Sequence, residues 1–474
     1  MRWSAIVAGA SLVPVLDPER TYSYAASGTV VPVNLELVTL TEDRAICTWY
    51  TGVQGTDDGL GRMLPAPADA EVRYGTRPDR LTRRVRGRSG TPYHYVEITG
   101  LEPGRTYYYQ AWSNGKPASA TFLAGGNAVG TSPYGLGTSG PFAFTTPQPP
   151  SGRHLFSVAL CNDLHLGETV AGLVGGISAI KGISQVPGEP PYPEIMAQAL
   201  VDEARSRGAT YLLAAGDISS EAAPVDVAKA KSLLDGFGGY RSDYFVARGN
   251  HDRAHEGAAY STCTVGRWQG NDCFRDGFFT AGAPTYFSTD LKGLHVVGLD
   301  TYDKAGNGGD AGGLSTEQLA WFQADLAAHR DQPTLVFGHH PLFAEGDPLA
   351  VTGGASLDAG QALTILGAYD KAPGVFLHHA GHTHRNHRSV FPLAAHVVQQ
   401  EVGAVKEYPG GFSLLRLHTG GYALNFFKTR SDLAREWSER SRQELSGLWP
   451  QLSLGTSVTD RNSVVRRDLS GIGG

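Results

Sequence analysis

The sequence has little of what marks several common protein classes. No uninterrupted apolar run reaches the roughly 18 to 20 residues needed to cross a bilayer, which argues against a spanning helix. No Lys/Arg block of the kind that neutralises nucleic-acid phosphates occurs, and 40 basic against 46 acidic residues leave a net charge of −6, so nucleic acid is not an expected partner. Among the four cysteines, Cys47, Cys161, Cys263 and Cys273, there is no CxxC pair, which disfavours structural zinc on thiolates. Internal repeats are absent too. What is present is a 474-residue chain, long enough for two or three domains, with 41% hydrophobic residues and 61 glycines. Such a composition suits sizeable cores joined by many tight turns, where function tends to reside.

The first residues, "MRWSAIVAGASLVPVLDPERTYSYAASG", half fit an export signal: one Arg, an apolar run from Ala5 to Leu16, then small residues. Pro14 interrupts that run and no clear cleavage triplet follows, so a cleaved leader and an ordinary first segment both stay open. Cys263 and Cys273 bracket the polar loop "TVGRWQGND", a separation that suits either a stapling disulfide or two free thiols. The disulfide alternative leans the chain weakly toward export, with a cytoplasmic location as the other reading. Cys47 and Cys161 sit in strand-like runs and read as buried thiols.

From Val31 to Thr146 short strand patterns follow one another, among them "AICTWYT", "YHYVEITGL" and "TYYYQAWSN", with turn residues between and no long helical stretch. This predicts an all-β sandwich over residues 31–147, with two Gly-rich insertions as surface loops. "TPQPPSGRH" then supplies a linker. Beyond it, over 148–428, buried-type strands such as "LFSVAL", "TYLLAAGD", "DYFVARGN", "TLVFGHH" and "GVFLHHAGH" alternate with helical patterns, the texture of an α/β domain. Ser315 with Glu317 and Gln318 reads as an N-cap with a capping-box partner. "GFSLLRLHTGGYALNFFKT" reads as a closing hairpin, and 429–474 as a helix followed by a loosely ordered tail.

Five of the apolar runs end in potential metal ligands: Asp163 and His165 in "NDLHLGE", Asp217 in "AAGDIS", Asn250, His251 and Asp252 in "RGNHD", His339 and His340 in "FGHHP", His382 and His384 in "AGHTHRNH". Ligands of open α/β sheets bind beyond the carboxyl ends of strands, so groups at five such ends can converge. Taken singly, each is most often a turn, a cap or a satisfied core histidine; five in series at strand ends are not. Carboxylates, imidazoles and one amide without thiolate suit Mn, Fe, Zn or Ni. About seven ligands with one carboxylate free to bridge match two ions about 3.5 to 4 Å apart, an arrangement that generates hydroxide from a bridging water and polarises phosphoryl oxygens.

On these blocks, DxH, GD, GNHD, GHH and GHTH, the chain resembles the calcineurin-like metallophosphoesterase superfamily across roughly residues 153–428. "VEITGLEPGRTYYYQAW" resembles the E to F corner of fibronectin type III domains. Together these resemblances imply an αββα sandwich of two mixed sheets preceded by a fibronectin type III-like sandwich, and a hydrolase of small phosphate esters that uses two divalent or di- and trivalent metal ions and a metal-bridging hydroxide. Carried over block by block, one ion takes Asp163, His165 and His384, the other Asn250, His339 and His382, and Asp217 bridges; His339 rather than His340 follows from aligning "HHP". His251 is implied as the catalytic group facing the leaving oxygen, with Asp252 holding its ring. Arg248 and His340 are expected substrate contacts; Arg385 could also grip a phosphate, and Tyr302 could border the substrate. His378, His379 and His387 are expected to pack rather than act. The pairing of the two domains also resembles purple acid phosphatases. Those have Asp-x-Gly in the first block and an iron-binding Tyr after GD, whereas this chain has His165 and "GDIS", so no tyrosinate colour is expected and the DxH form stands closer to phosphodiesterase branches. Competing readings are an inactive binding or adhesion module, disfavoured because every expected ligand is present, and a nuclease, disfavoured by the charge.

Overall fold

The computed structural model describes residues 28–56, 63–120, 138–172, 182–280, 282–306, 308–347, 354–442, 444 and 450–473. The leader-like segment and most of the second Gly-rich insertion lie outside these. In the N-terminal unit, strands Val30–Leu40, Arg44–Val53 and Tyr93–Thr99 form one antiparallel sheet. Arg83–Arg86, Glu71–Gly75 and Thr106–Ser113 form the second, extended by Lys116–Pro117 and Phe142–Thr145. The period-two pattern explains the packing: Tyr107, Tyr109 and Ala111 point inward and meet Leu35, Leu37, Trp49 and Phe144. At the corner foreseen from "LEPGRTYYYQ", Glu102 N donates to Tyr107 Oη at 3.0 Å.

The second unit is an αββα sandwich. One mixed sheet runs in the order Tyr244–Ala247, Tyr211–Ala215, Ser151–Cys161, Gly411–Lys428, Asn462–Arg466. Its first three strands are parallel and Gly411–Lys428 is antiparallel to Ser151–Cys161. Gly411–Lys428 folds back on itself, Thr429 N donating to Gly410 O at 3.0 Å, so the run is the expected hairpin. The other mixed sheet is ordered Phe287–Leu291, Leu294–Gly298, Thr334–Phe337, Val375–Ala380, Val398–Glu401, His387–Val390. Leu160, Leu213, Phe245, Val296, Leu335, Phe337 and Leu377 fill the space between the sheets. Helices Tyr192–Ser206 and Pro224–Leu234 cover one outer face, and Thr316–Ala328 and Ala359–Lys371 the other. Among the described residues no helix is long and apolar enough to cross a membrane.

Two expectations need correction. The tail is not loose: Asn462–Arg466 pairs with the hairpin, and Leu469 and Ile472 are buried between the sheets. Its short strand is hidden among charges in the sequence, and the edge it pairs with exists only after folding. Ser315 does cap its helix, accepting from Gln318 N at 3.2 Å, but the Gln318 side chain is drawn to the Asp300 backbone instead of closing the box.

The two units share core. Ile46 packs into the cluster around helix Tyr192–Ser206, and Val38 joins the cluster between the sheets. Polar bonds also cross the boundary, the buried ones from Arg461 to Leu37 O and Val38 O and from Asn425 to Leu40 O, and a partly buried pair from Arg207 to Glu97.

Candidate metal centre

Each buried parallel strand delivers its polar residues at its carboxyl end. Cys161 ends the strand before Asp163, Ala215 the one before Asp217, Ala247 the one before Asn250, Phe337 the one before His339, and Ala380 the one before His382. The backbone there is unusual. Ten non-glycine described residues have left-handed φ, and five of them are Asp163, His165, Asp217, His382 and His384. Such conformations cost about 1–3 kcal/mol each and persist where surrounding structure imposes them, often at functional sites. The glycines of the motifs permit the crowding: a Cβ on Gly249 would stand 2.1 Å from Asp217 Oδ1, and one on Gly216 2.6 Å from His339 Cβ.

Six of the seven predicted ligands form one connected cluster, and the seventh, Asn250, follows Gly249, whose backbone packs against Asp217. Asp163 Oδ1 lies 3.1 Å from His384 Nε2, 3.6 Å from His165 Nε2 and 3.9 Å from His339 Nε2. Asp217 Oδ2 lies 3.0 Å from His339 Nε2 and 3.4 Å from His165 Nε2, which places it between the two trios. His382 Nδ1 is 3.2 Å from His339 Nε2. Asn250 is buried and donates through Nδ2 to Asp310 Oδ1 at 3.4 Å, while its Oδ1 has no hydrogen-bond partner among the described residues.

The donor set fits cations. Asp163 Oδ1 and both ring nitrogens of His165 are also buried without well-formed hydrogen bonds, although oppositely charged atoms stand close by. Burial alone would raise the two carboxyls, yet His384 and His339 beside Asp163, and His339 and His251 beside Asp217, hold both well below the usual carboxylate range. Conversely, burial opposes the charged form of His339, and Asp217 and Asp163 raise it nonetheless. The neighbouring imidazoles thus favour ionised carboxylates, the form in which such a donor set binds metal ions in place of protons.

Residues 156–386 match the family model for calcineurin-like phosphoesterases, and residues 30–124 that for the purple acid phosphatase N-terminal domain. The α/β unit is a calcineurin-like phosphoesterase domain. It is thus a phosphoric ester hydrolase, with a dinuclear metal centre implied by its family. No curated protein matches it. Among solved structures the phosphoesterase is similar to a purple acid phosphatase, PPD1, from yellow lupin (Lupinus luteus) seeds, at 16% identity over 84% of this chain and 72% of that one, TM-score 0.41. It is also similar to a dimetal phosphatase from Danio rerio, at 15% identity over 58% and 96%, TM-score 0.43. A third likeness is to PhoD, at 10% identity over 85% and 87%, TM-score 0.37. The family assignment rests on the two sequence matches.

Other residues singled out in the sequence of the phosphoesterase take different places. Asp252 does not touch the His251 ring; its carboxylate accepts from Ile218 N, Ser219 N, Ser219 Oγ and Gly249 N at 2.8–3.1 Å, pinning the Asp217 turn to the Asn250 turn. The His251 ring is held instead by Ser220 O, 2.7 Å from Nδ1, and its centroid lies 4.6 Å from that of His165. A backbone carbonyl one turn away suffices for this task, which leaves the carboxylate for the amides. Arg248 is buried, donating to Asp272 at 2.8 Å and lying 3.4 Å from Asp300, so its charge is spent on the disulfide-bearing loop rather than on substrate. His340 is buried with both nitrogens engaged, by Thr301 Oγ1 at 2.7 Å and Asp310 O at 2.8 Å. Arg385 is paired with Glu401, and Tyr302 donates to Gly309 O. His378 and His379 are core residues bonded to Tyr369 and to Cys161 O, and His387 sits 3.9 Å from Asp460. Cys263 and Cys273 are joined in a disulfide, and Cys47 and Cys161 are buried free thiols.

The sequence reading missed the groups behind the ligands. His165 Nδ1 faces Glu168 Oε2 at 3.0 Å, His384 Nδ1 is bonded to Glu407, and Lys406 Nζ joins Glu168 at 2.7 Å to Glu407 at 3.3 Å. Glu168 had a readable signal, three residues after His165 inside "DLHLGE". Glu407 had none.

Proposed function

We propose that this phosphoesterase hydrolyses small phosphate esters at a two-metal site in which Asp163, His165 and His384 hold one ion, Asn250, His339 and His382 the other, and Asp217 is shared. The observation that carries the reading is Asp217 Oδ2, within 3.4 Å of an imidazole nitrogen from each trio. Two cations there would supply Lewis acidity for the phosphoryl oxygens and a water acidic enough to ionise near neutral pH. Mn, Fe, Zn and Ni all suit the donors.

The contribution of the protein itself is position and proton management. With Nδ1 tied to Ser220 O, the His251 imidazole presents Nε2 for exchange with the leaving-group oxygen. Its main-chain N–H donates to Asp217 Oδ1 at 2.9 Å, which fixes the ring relative to the shared carboxylate. Burial lowers the His251 pKa, partly opposed by Asp217. The negative charge of an arriving phosphate ester raises it again, so the proton that the departing alkoxide needs is taken up with the substrate. Asp252, by clamping two ligand turns together, preserves the spacing on which this depends. The net charge of −6 favours small esters over nucleic acid, and the disulfide supports an exported location.

The decisive experiment measures metals in the purified protein and assays a generic phosphomonoester and phosphodiester in parallel with an Asp217→Asn variant. Metal-dependent turnover of either ester, lost in the variant, is expected. Turnover undiminished in Asp217→Asn overturns the mechanism.

A further inference from the structure

Three consecutive residues, Lys406, Glu407 and Tyr408, run beneath one half of the site and reach each of its exclusive ligands, Asp163 and His384 directly and His165 through Glu168. Lys406 N donates to Asp163 O at 3.0 Å, and the preceding Val405 N donates to Asn162 O at 3.2 Å, so the segment is laced to the backbone of the first block. Lys406 Nζ binds both oxygens of Glu168, at 2.7 and 2.8 Å, and Glu168 faces His165 Nδ1. Glu407 takes His384 Nδ1. Asp163, His165 and His384 are thereby each reached from this tripeptide, whereas none of its side chains contacts Asn250, His339 or His382 in any bond described.

Tyr408 points the other way, into the β-sandwich. Its hydroxyl donates to Glu36 Oε1 at 2.6 Å. Glu36 lies on strand Val30–Leu40, is 2% exposed, and also accepts from Lys428 Nζ at 2.7 Å, Arg442 Nη2 at 3.0 Å and Thr48 Oγ1 at 3.2 Å. Trp437 Nε1 donates to Lys406 O at 2.7 Å, and Tyr408 N to Ser441 Oγ at 2.9 Å, so helix Asp432–Ser441 holds the segment from below. A buried carboxylate with this many donors is held in one orientation, and it belongs to the N-terminal unit.

We propose that Lys406–Tyr408 is a positioning strap for the Asp163, His165 and His384 half of the site, and that the β-sandwich, through Glu36, locks the strap in place. The sandwich is then a working part of the metal centre rather than an appendage. Outer carboxylates fix the tautomer and direction of a ligating imidazole, and their loss costs about 10–100-fold in metal affinity. The proposal rests on the two-metal reading above and adds to it an asymmetry: disturbing Glu36 weakens one ion and spares the other.

The test uses the full chain, stripped of metal and titrated with Zn²⁺ against a chromophoric chelator, with thermal unfolding followed in parallel. Wild type takes up two equivalents, and His384→Ala identifies the one that depends on this half. Glu36→Gln and Tyr408→Phe are each expected to weaken that same equivalent by about ten-fold or more and to leave the other within about two-fold. In a Glu407→Gln background, Tyr408→Phe should add less than it does in wild type, because one of the strap's links is already cut while Lys406 still reaches Asp163 and Glu168. Should Glu36→Gln fail to fold, Tyr408→Phe decides, since it removes one hydroxyl and keeps Lys428 and Arg442 paired. Two unaffected equivalents in variants with lowered unfolding temperature overturn the strap and leave Glu36 as a fastener between domains. A wild type binding fewer than two equivalents overturns the two-metal reading itself.

Discussion

The two halves of the site hold the same kinds of side chain against different backing. Behind His165 and His384 stand carboxylates, Glu168 and Glu407, joined by Lys406. Behind His339 and His382 stand backbone carbonyls, Ala215 O at 2.8 Å and Gly354 O at 2.9 Å. The electrostatic consequence is large. Burial works against charge on His384, but Asp163 and Glu407 raise it to about 9, while burial and the neighbouring His339 push His382 down to about 4. Burial and Lys406 likewise oppose His165, and Glu168, Asp163 and Asp217 still hold it well above its ordinary value. An imidazole backed by a carboxylate is a more basic donor than one backed by an amide carbonyl. The first half should therefore suit the more highly charged or more tightly held ion, and the second the more exchangeable one.

Loss of the shared residue should erase the difference altogether. Asp217→Asn is expected to weaken both ions and to lower turnover by more than the ~100-fold that an outer partner can cost, measured as kcat/KM with metal content determined on the same sample. Removing one half at a time should expose it: His384→Ala and His382→Ala each lose one of two metal equivalents, and a titration that finds the same equivalent missing from both would break the comparison. A smaller, sharper effect follows from the backing groups. Glu407→Gln should cost about 10–100-fold in affinity for one ion, whereas Asp310→Asn, at the 3.4 Å contact with Asn250, should cost the other only a few-fold.

Acid should act on the first half through the domain boundary. Burial alone would raise the Glu36 carboxyl, but Lys428 and Arg442 outweigh it and bring the pKa from 4.5 to about 2. A carboxylate lowered on folding contributes stability that is present above pH 4.5 and is lost as pH falls toward 2. That contribution is roughly 3 kcal/mol. Unfolding midpoints recorded across this range should fall less steeply in Glu36→Gln than in wild type. Smallest of all is the effect on the pH profile of His251: its limb should lie at lower pH in kcat/KM than in kcat, and should vanish in His251→Ala.

The sequence by itself determined the architecture and which polar residues stand at the strand ends. Apolar runs of period two or of continuous type specify strands, and a polar residue directly after such a run must emerge at the strand's end, so Asp163, Asp217, Asn250, His339 and His382 were legible as a set before any geometry. Only the tertiary structure decided what stands behind that set. Glu407 lies 23 residues from His384, and Glu36 lies 372 residues from Tyr408; no local pattern couples positions so far apart. Arg248, His340 and Asp252 teach the same point from the other side, for each sits beside a ligand in sequence yet spends its polar atoms elsewhere. Adjacency along the chain fixes where a backbone goes, but the direction of a side chain is settled by which partner can satisfy it once water is excluded, and that partner comes from the fold.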